Sequence, residues 1–330
     1  MLRKFKNLLV VLVALTFGVG LKAVPTAPLQ SPTGVTQSEP PGAFVTVNGA
    51  RLWYRIEGQG EPLVLIPGGP GNPHTGFLPE FSKLADTARV VYFDPFGRGK
   101  SDRAKAPTEY SLERDVEDLE GLRTALNLGP INVLGRSYGG IVAQAYALKY
   151  PASIKRLILA SSFHSTEMWQ QGLNDTWNFE IRNQFPEIWE KLLALRRGGR
   201  LSGDPEYQTI QGEVPGTLFY YYDPSNSRRP SYADSSLNLD VYVRIAGPDA
   251  DVLLGGSLGS FDFREHLRTI AVPILITAGR FDRVAIPRYA IQFRDYAPHA
   301  QFVMFEHSGH FADREEPDAY FDILRRFLRT

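Results

Sequence analysis

The stretch Gly135-Arg136-Ser137-Tyr138-Gly139 joins an apolar run at 131–134 to a segment of helical spacing at 140–150. Ile131, Val133 and Leu134 read as a buried strand. Ile141, Val142, Ala145 and Leu148 fall on one face of a helix that stops before Pro151. A Gly-x-Ser-x-Gly between strand and helix is a nucleophile elbow. The turn is too tight for side chains at its flanking positions, so both are glycine, and the serine hydroxyl is pushed outward. The helix start behind it offers backbone N–H groups and a positive dipole end to a developing oxyanion.

A serine hydroxyl is a weak nucleophile and needs a base, which in turn needs an orienting carboxylate. In this topology the chain order is Ser, then Asp or Glu, then His, with the last two on loops after late strands. Asp282 follows the apolar run 274–277, and His310 follows the run 302–305. Of the six histidines, only His307 and His310 lie on that final loop. His310 is the candidate base, because Ser308-Gly309 lets the loop turn its imidazole toward the elbow, and His307 reads as a loop residue. His164, His266 and His299 read as surface or packing residues. Asp262 is a weaker acid candidate, since it precedes a helix that it would cap. The loop Pro67-Gly68-Gly69-Pro70-Gly71 lets backbone N–H groups approach a substrate carbonyl, so Gly69 and Tyr138 are the expected oxyanion donors. Asp94, in Asp94-Pro95-Phe96-Gly97-Arg98-Gly99-Lys100-Ser101, reads as a turn-holding carboxylate.

The 330 residues suffice for one large domain or a domain with an insertion. Thirty-six basic and 36 acidic residues give no net charge, which argues against a nucleic acid or an acidic membrane surface as partner. The pairs Arg196-Arg197 and Arg228-Arg229 read as solvated loop charges. Cysteine is absent, which excludes disulfides and thiolate metal sites. Arg3, Lys4 and Lys6 precede an apolar run at 8–21, followed by Lys22-Ala23 and a Pro/Thr/Ser/Gln-rich stretch to Pro41. This pattern predicts a signal peptide at 1–23 and a flexible linker at 24–42, hence a secreted or periplasmic protein. The apolar run is shorter than the ~20 residues of a spanning helix, so no stable membrane span is expected after cleavage; an uncleaved anchor is the alternative.

Phe44 to Val47 and Leu52 to Ile56 flank Asn48-Gly49, a hairpin signal. Short apolar runs then recur at 63–66, 90–93, 131–134, 157–159, 274–276 and 302–304, with helical patterns between them such as Val116, Leu119, Leu122 and Leu126. This alternation predicts a mostly parallel sheet covered on both sides. It fails between about 165 and 260, where Trp169, Trp177, Trp189 and Tyr220-Tyr221-Tyr222 mix with Pro, Gly and Asn. The expected organisation is a core at 43–164 and 261–330 with an inserted cap at 165–260 over the sheet's carboxyl edge. Most of the cap aromatics are expected to be core.

From about Val45 to the C-terminus the chain resembles α/β-hydrolases of the proline iminopeptidase type, serine aminopeptidases. The matching features are Gly68-Gly69-Pro70-Gly71, Asp94-x-Phe96-Gly97-x-Gly99-x-Ser101, the elbow, Gly-x-Phe-Asp ending at Asp282, and Ser-Gly-His ending at His310. The resemblance implies an α/β-hydrolase fold: a mostly parallel eight-stranded sheet with an inserted, mainly helical cap. It also implies a small-molecule or short-peptide substrate, no cofactor and no metal. Two positions depart from the family. Pro67 stands where a histidine is usual. Arg283 stands where one branch places a Glu that holds the substrate amine, beside an acidic residue after a Gly-Pro pair in the cap. Asp251, in Gly247-Pro248-Asp249-Ala250-Asp251, is the counterpart of that second acid, and Glu213 is a substitute clamp. A cation at Arg283 is expected either to repel a substrate ammonium or to pair with Asp251 and neutralise it. The expected activity is an exported serine hydrolase with Ser137, His310 and Asp282 as its triad. Removal of an N-terminal proline leads, a carboxylesterase, lactonase or amidase follows, and a non-catalytic binding protein is the remote alternative.

Overall fold

The computed structural model describes residues 36–37, 41–227, 231–232 and 235–330. The expected signal peptide at 1–23, most of the linker at 24–42 and the pair Arg228-Arg229 lie outside the described residues. β1 (Ala43–Val47) and β2 (Ala50–Glu57) form the hairpin expected from Asn48-Gly49, whose φ angles of 48° and 81° make the left-handed turn these residues tolerate. β3 (Pro62–Ile66), β4 (Arg89–Phe93), β5 (Ile131–Arg136), β6 (Ile154–Ala160), β7 (Ile274–Gly279) and β8 (Gln301–Phe305) follow. Every residue of β3, β5 and β7 is buried, as strands covered on both faces require. The eight strands make one sheet in the order β1-β2-β4-β3-β5-β6-β7-β8. The β1–β2 and β2–β4 pairs are antiparallel and the others parallel.

One face of the sheet is covered by α1 (Leu112–Ala125) and α2 (Tyr138–Lys149). Ser111 caps α1, its Oγ accepting from Arg114 N at 3.1 Å, and Val116, Leu119 and Leu122 are buried as their spacing predicts. α2 departs from a one-faced helix. Ala143, Tyr146 and Ala147 are as buried as Ile141 and Val142, while Ala145 and Leu148 are only half-buried. The helix is enclosed by β5, β6 and α1 together, so an apolar face alone did not describe it. The opposite face is covered by the 3₁₀ segment Glu80–Asp86 and the C-terminal helix Pro317–Arg329, which buries Tyr320, Phe321, Leu324 and Phe327.

The chain runs from β3 to β4 on one side and then to β5 on the other, with Ile66 in register with Gly135. At such a reversal the loops leaving the two strands diverge and open a crevice at their carboxyl ends. The glycine loop after β3 and the elbow after β5 therefore face one another.

Between β6 and β7 come α3 (Thr166–Gly172), a π-helical turn (Leu173–Asn178), α4 (Phe179–Gln184), α5 (Pro186–Arg197), α6 (Pro205–Gln211), α7 (Thr217–Tyr220) and α8 (Leu239–Ala246). Ile181, Leu192, Tyr207, Val214 and Phe219 form a small core of their own, with the Trp177 ring stacked on Phe219 at 3.9 Å. Arg196 is not the solvated loop residue that its sequence suggests. In the last turn of α5 it makes a bidentate pair with Asp249 at 2.8 and 3.0 Å, its guanidinium 5.0 Å from the centre of the Tyr207 ring. Among the described residues no helix is long and apolar enough to cross a membrane.

Candidate active site

Ser137 sits between β5 and α2 with φ 55° and ψ −122°, a conformation that costs a non-glycine residue about 1–3 kcal/mol. Three hydrogen bonds hold it there. Its N–H donates to Ala160 O at 2.9 Å, and its carbonyl accepts from Gly140 N at 2.9 Å and Ser162 Oγ at 2.8 Å. The flanking glycines are sterically required. A Cβ at Gly135 would lie 2.1 Å from Gly139 O, and one at Gly139 would lie 2.2 Å from Ile66 O. Tyr138 opens α2, so its N–H has no acceptor within the helix. The glycine loop passes directly over the serine: a Cβ at Gly68 would lie 3.1 Å from Ser137 Cβ. Asp94 braces the neighbouring loop, accepting from His74 N and Nδ1 at 2.9 and 2.7 Å and from Lys100 N at 2.9 Å.

A buried ion pair underlies the elbow. Arg98 grips Asp115 through two hydrogen bonds of 2.7 and 2.6 Å, and the Tyr138 hydroxyl donates to the same carboxylate at 2.6 Å. Burial and the adjacent Asp115 push the Tyr138 phenol well up, so it stays a donor. Removing one partner of such a pair strands a charge in the interior. Asp115→Ala is expected to destabilise the protein by about 3–5 kcal/mol. A urea midpoint within experimental error of the native value would show that this pair contributes nothing.

The turn after β7 presents Asp282, and the loop after β8 presents His310. His310 Nδ1 lies 2.8 Å from Asp282 Oδ2, with the imidazole 3% exposed and the carboxylate buried. Asp282 Oδ1 accepts from Val284 N and Ala285 N at 2.8 and 2.9 Å, which fixes the carboxylate plane. His310 N donates to Tyr220 O at 2.8 Å, tying the loop to α7. With its proton on Nδ1, the imidazole keeps Nε2 as an acceptor. His307 is 72% exposed on the same loop. Asp262 is spent on Arg264, whose guanidinium it accepts at 2.6 Å.

Ser137 and His310 line a cavity of about 600 Å³ that also includes Gly68, Gly69, Trp177, Tyr242 and Asp251. Asp251 is the one carboxylate among the described residues on its wall. Its carboxylate accepts from Gln211 Nε2, and its backbone carbonyl from Asn178 Nδ2 at 2.7 Å. Burial pushes its carboxyl up to about 6, against the downward pull of the Gln211 hydrogen bond and the Arg196 charge. Its neighbour Asp249 is turned away into the Arg196 pair.

Two sequence expectations fail here. Arg283 does not pair with Asp251, and it is absent from the cavity wall; its Nη1 donates to Leu218 O at 2.9 Å. Consecutive residues at this turn point different ways, so Asp282 faces the imidazole while Arg283 leaves along the surface of α7. Glu213 is no amine clamp in this structure: it pairs with Lys191 at 2.9 Å, 43% exposed, and also lies off the wall. Sequence reading also missed Gln208, Gln211, Arg136 and Arg314, all on the wall. The α6 glutamines lie within an irregular stretch that carries no pattern. Most cap aromatics are at least partly buried, but Trp169, Trp177, Tyr220 and Tyr221 also line the cavity.

A serine elbow, an aspartate-bound histidine and a glycine loop at the crevice of a mostly parallel sheet define the class: a serine hydrolase on the α/β-hydrolase fold. The chain belongs to this family, matching the alpha/beta hydrolase fold family over residues 61–317, and within it to the proline iminopeptidase type. It is 31% identical over 294 residues to a proline iminopeptidase of Heyndrickxia coagulans, covering 87% of this chain and 98% of the relative. A proline iminopeptidase of Saccharolobus solfataricus is 30% identical over 294 residues, 83% of this chain and 87% of its own. The crystal structure of a Mycobacterium smegmatis proline iminopeptidase shares the fold, with a TM-score of 0.69 at 24% identity over 88% of this chain and 98% of that one.

Proposed function

We propose that the protein removes an N-terminal proline, or a residue of similar shape, from short peptides through an acyl-enzyme. Ser137 Oγ attacks the carbonyl while His310 Nε2 takes its proton, and Asp282 holds the imidazole and supports the imidazolium that forms. Backbone N–H groups of Gly69 and Tyr138 receive the oxyanion. Collapse expels the amine, which takes the proton from His310, and water activated by the same imidazole then releases the acid and restores Ser137.

The observation that carries the substrate class is Asp251, a buried carboxylate on the wall that also bears Ser137. A secondary ammonium beside it would be matched by opposite charge, and the Trp177 and Tyr242 rings offer the pyrrolidine apolar cover. The indole Nε1 of Trp177 has no hydrogen-bond partner among the described residues, leaving a donor for the substrate. Because Arg283 turns away from Asp251, the clamp keeps its charge.

The test is a comparison of proline arylamide, its N-blocked form and simple aryl esters. The native protein should prefer the free amine, and Asp251→Asn should abolish that preference. In the native protein it should fade as pH falls through about 6, where Asp251 takes up a proton. Stability should move the opposite way. The folded carboxyl binds its proton more tightly than the unfolded one, so between about 6 and the ordinary 3.8 the fold gains stability as pH falls. Asp251→Asn should therefore raise the Tm at pH 8 while losing amine selectivity. Equal rates on free and blocked substrates would instead favour the esterase or lactonase reading.

Export is part of the same proposal, supported by the basic-then-apolar N-terminus. N-terminal sequencing of the mature protein should find a start at or soon after residue 24; an intact start in a membrane fraction would make the segment an anchor.

A further inference from the structure

On the wall of the cavity, two guanidinium groups converge on one carbonyl oxygen. Arg136 Nη1 and Arg314 Nη2 donate to Gly76 O at 2.9 and 2.8 Å. Their side chains are only 6% and 10% exposed. One carboxylate serves both: Asp313 lies 2.8 Å from Arg136 Nη2 but 3.9 Å from Arg314 Nε. Among the described residues Arg314 otherwise meets only neutral groups, donating to the Tyr221 hydroxyl at 2.5 Å and lying 3.8 Å from the centre of the Phe311 ring. Its Nε is buried without a hydrogen-bond partner among the described residues. Among the described residues this part of the wall thus sets two buried cations against one anion, and like charges so placed are relieved by a further anion. A guanidinium fork suits a carboxylate in particular.

The position of this excess charge relative to the chemistry is informative. Phe311 contacts both the His310 ring, at 5.3 Å between centroids, and the Arg314 guanidinium. His310 delivers the proton to the leaving group, so the leaving group must lie on the His310 side of Ser137. Asp251 belongs to a different part of the wall, bonded to Gln211 and Asn178, and shares no partner with Arg314.

We propose that Arg314, with Arg136 behind it, forms a subsite for a carboxylate on the leaving group. For a peptidase this means the free C-terminus of a dipeptide or other very short peptide. The subsite rests on the acyl-transfer roles of Ser137 and His310 and not on proline specificity. Binding energy from a remote carboxylate would hold the scissile bond in place, and a site built for that anion rejects a neutral isostere.

Two substrate pairs test it: Pro-Ala against Pro-Ala amide, and the acetyl esters of 4-hydroxybenzoate against 4-hydroxybenzamide. In each hydrolysed pair the carboxylate member should have a kcat/KM at least about tenfold higher, carried mainly by KM. Arg314→Met should bring that ratio close to 1, and Arg314→Lys, which keeps the charge without the fork, should leave it intermediate. Fluorophosphonate labelling of Ser137 reports that each variant is folded; if Arg314→Met is not labelled, the native ratio and Arg314→Lys decide. A native ratio of 1 or below overturns the subsite, as does a ratio retained in labelled Arg314→Met. Turnover of the prolyl pair without carboxylate preference defeats the subsite and keeps the peptidase. Preference within the ester pair, with neither prolyl compound cleaved, keeps the subsite and defeats the proline reading.

Discussion

Ser137→Ala should lower the rate on proline arylamide by on the order of 10³ or more and abolish covalent labelling by a fluorophosphonate. The size of the loss follows from the geometry of the elbow. The hydroxyl stands on a backbone held at φ 55° by three hydrogen bonds, under a glycine loop and at the start of a helix. Alanine keeps that backbone and all three bonds, because they are made by the Ser137 main chain. The variant should therefore fold with a native Tm, and the residual activity should be what the oxyanion donors and the cavity provide alone. Labelling that persists in Ser137→Ala would place the nucleophile elsewhere.

Asp282→Asn should be nearly as damaging, on the order of 10³ or more in kcat, for a different reason. The carboxylate accepts the Nδ1 proton of His310 at 2.8 Å, whereas an amide can turn an N–H₂ toward Nδ1. That would draw the imidazole into the tautomer whose Nε2 carries a proton, and such a ring cannot accept one from Ser137. The amide oxygen can still accept from Val284 N and Ala285 N, so the turn should survive and the loss should appear in kcat, not in folding. His310→Ala should resemble Ser137→Ala, while the exposed His307 should tolerate alanine. Near-native turnover by Asp282→Asn, measured with the urea midpoint unchanged, would remove Asp282 from the machinery.

These two predictions rest on residues legible in the chain because each is bound to a local pattern. The elbow needs only five consecutive residues between a strand and a helix, and the glycines at 135 and 139 are demanded by contacts of about 2 Å with backbone atoms. Asp282 follows a buried apolar run and His310 follows a half-buried apolar edge strand, and a parallel sheet sends the loops after such strands to one edge. Strand periodicity, turn chemistry and chain order thus determined the sheet, the position of the crevice and the identity of the candidate triad.

The polar lining of the cavity was decided largely by tertiary structure. Arg283 follows Asp282 in the chain, yet its direction is set by the Leu218 carbonyl, 65 residues away. The family resemblance singled out Asp251 over Asp249, and the fold supplies the physical difference: Arg196 at the end of α5 engages Asp249 and leaves Asp251 on the wall. Glu213 is carried onto the surface beside Lys191. Arg136 and Arg314 come together on Gly76 from distant segments of the chain. A long polar side chain takes its partner from whatever the packed fold brings within hydrogen-bond reach, and burial then fixes its charge state. Neither quantity is encoded in nearest neighbours along the chain, so the sequence determined the reaction centre while packing decided what that centre can hold.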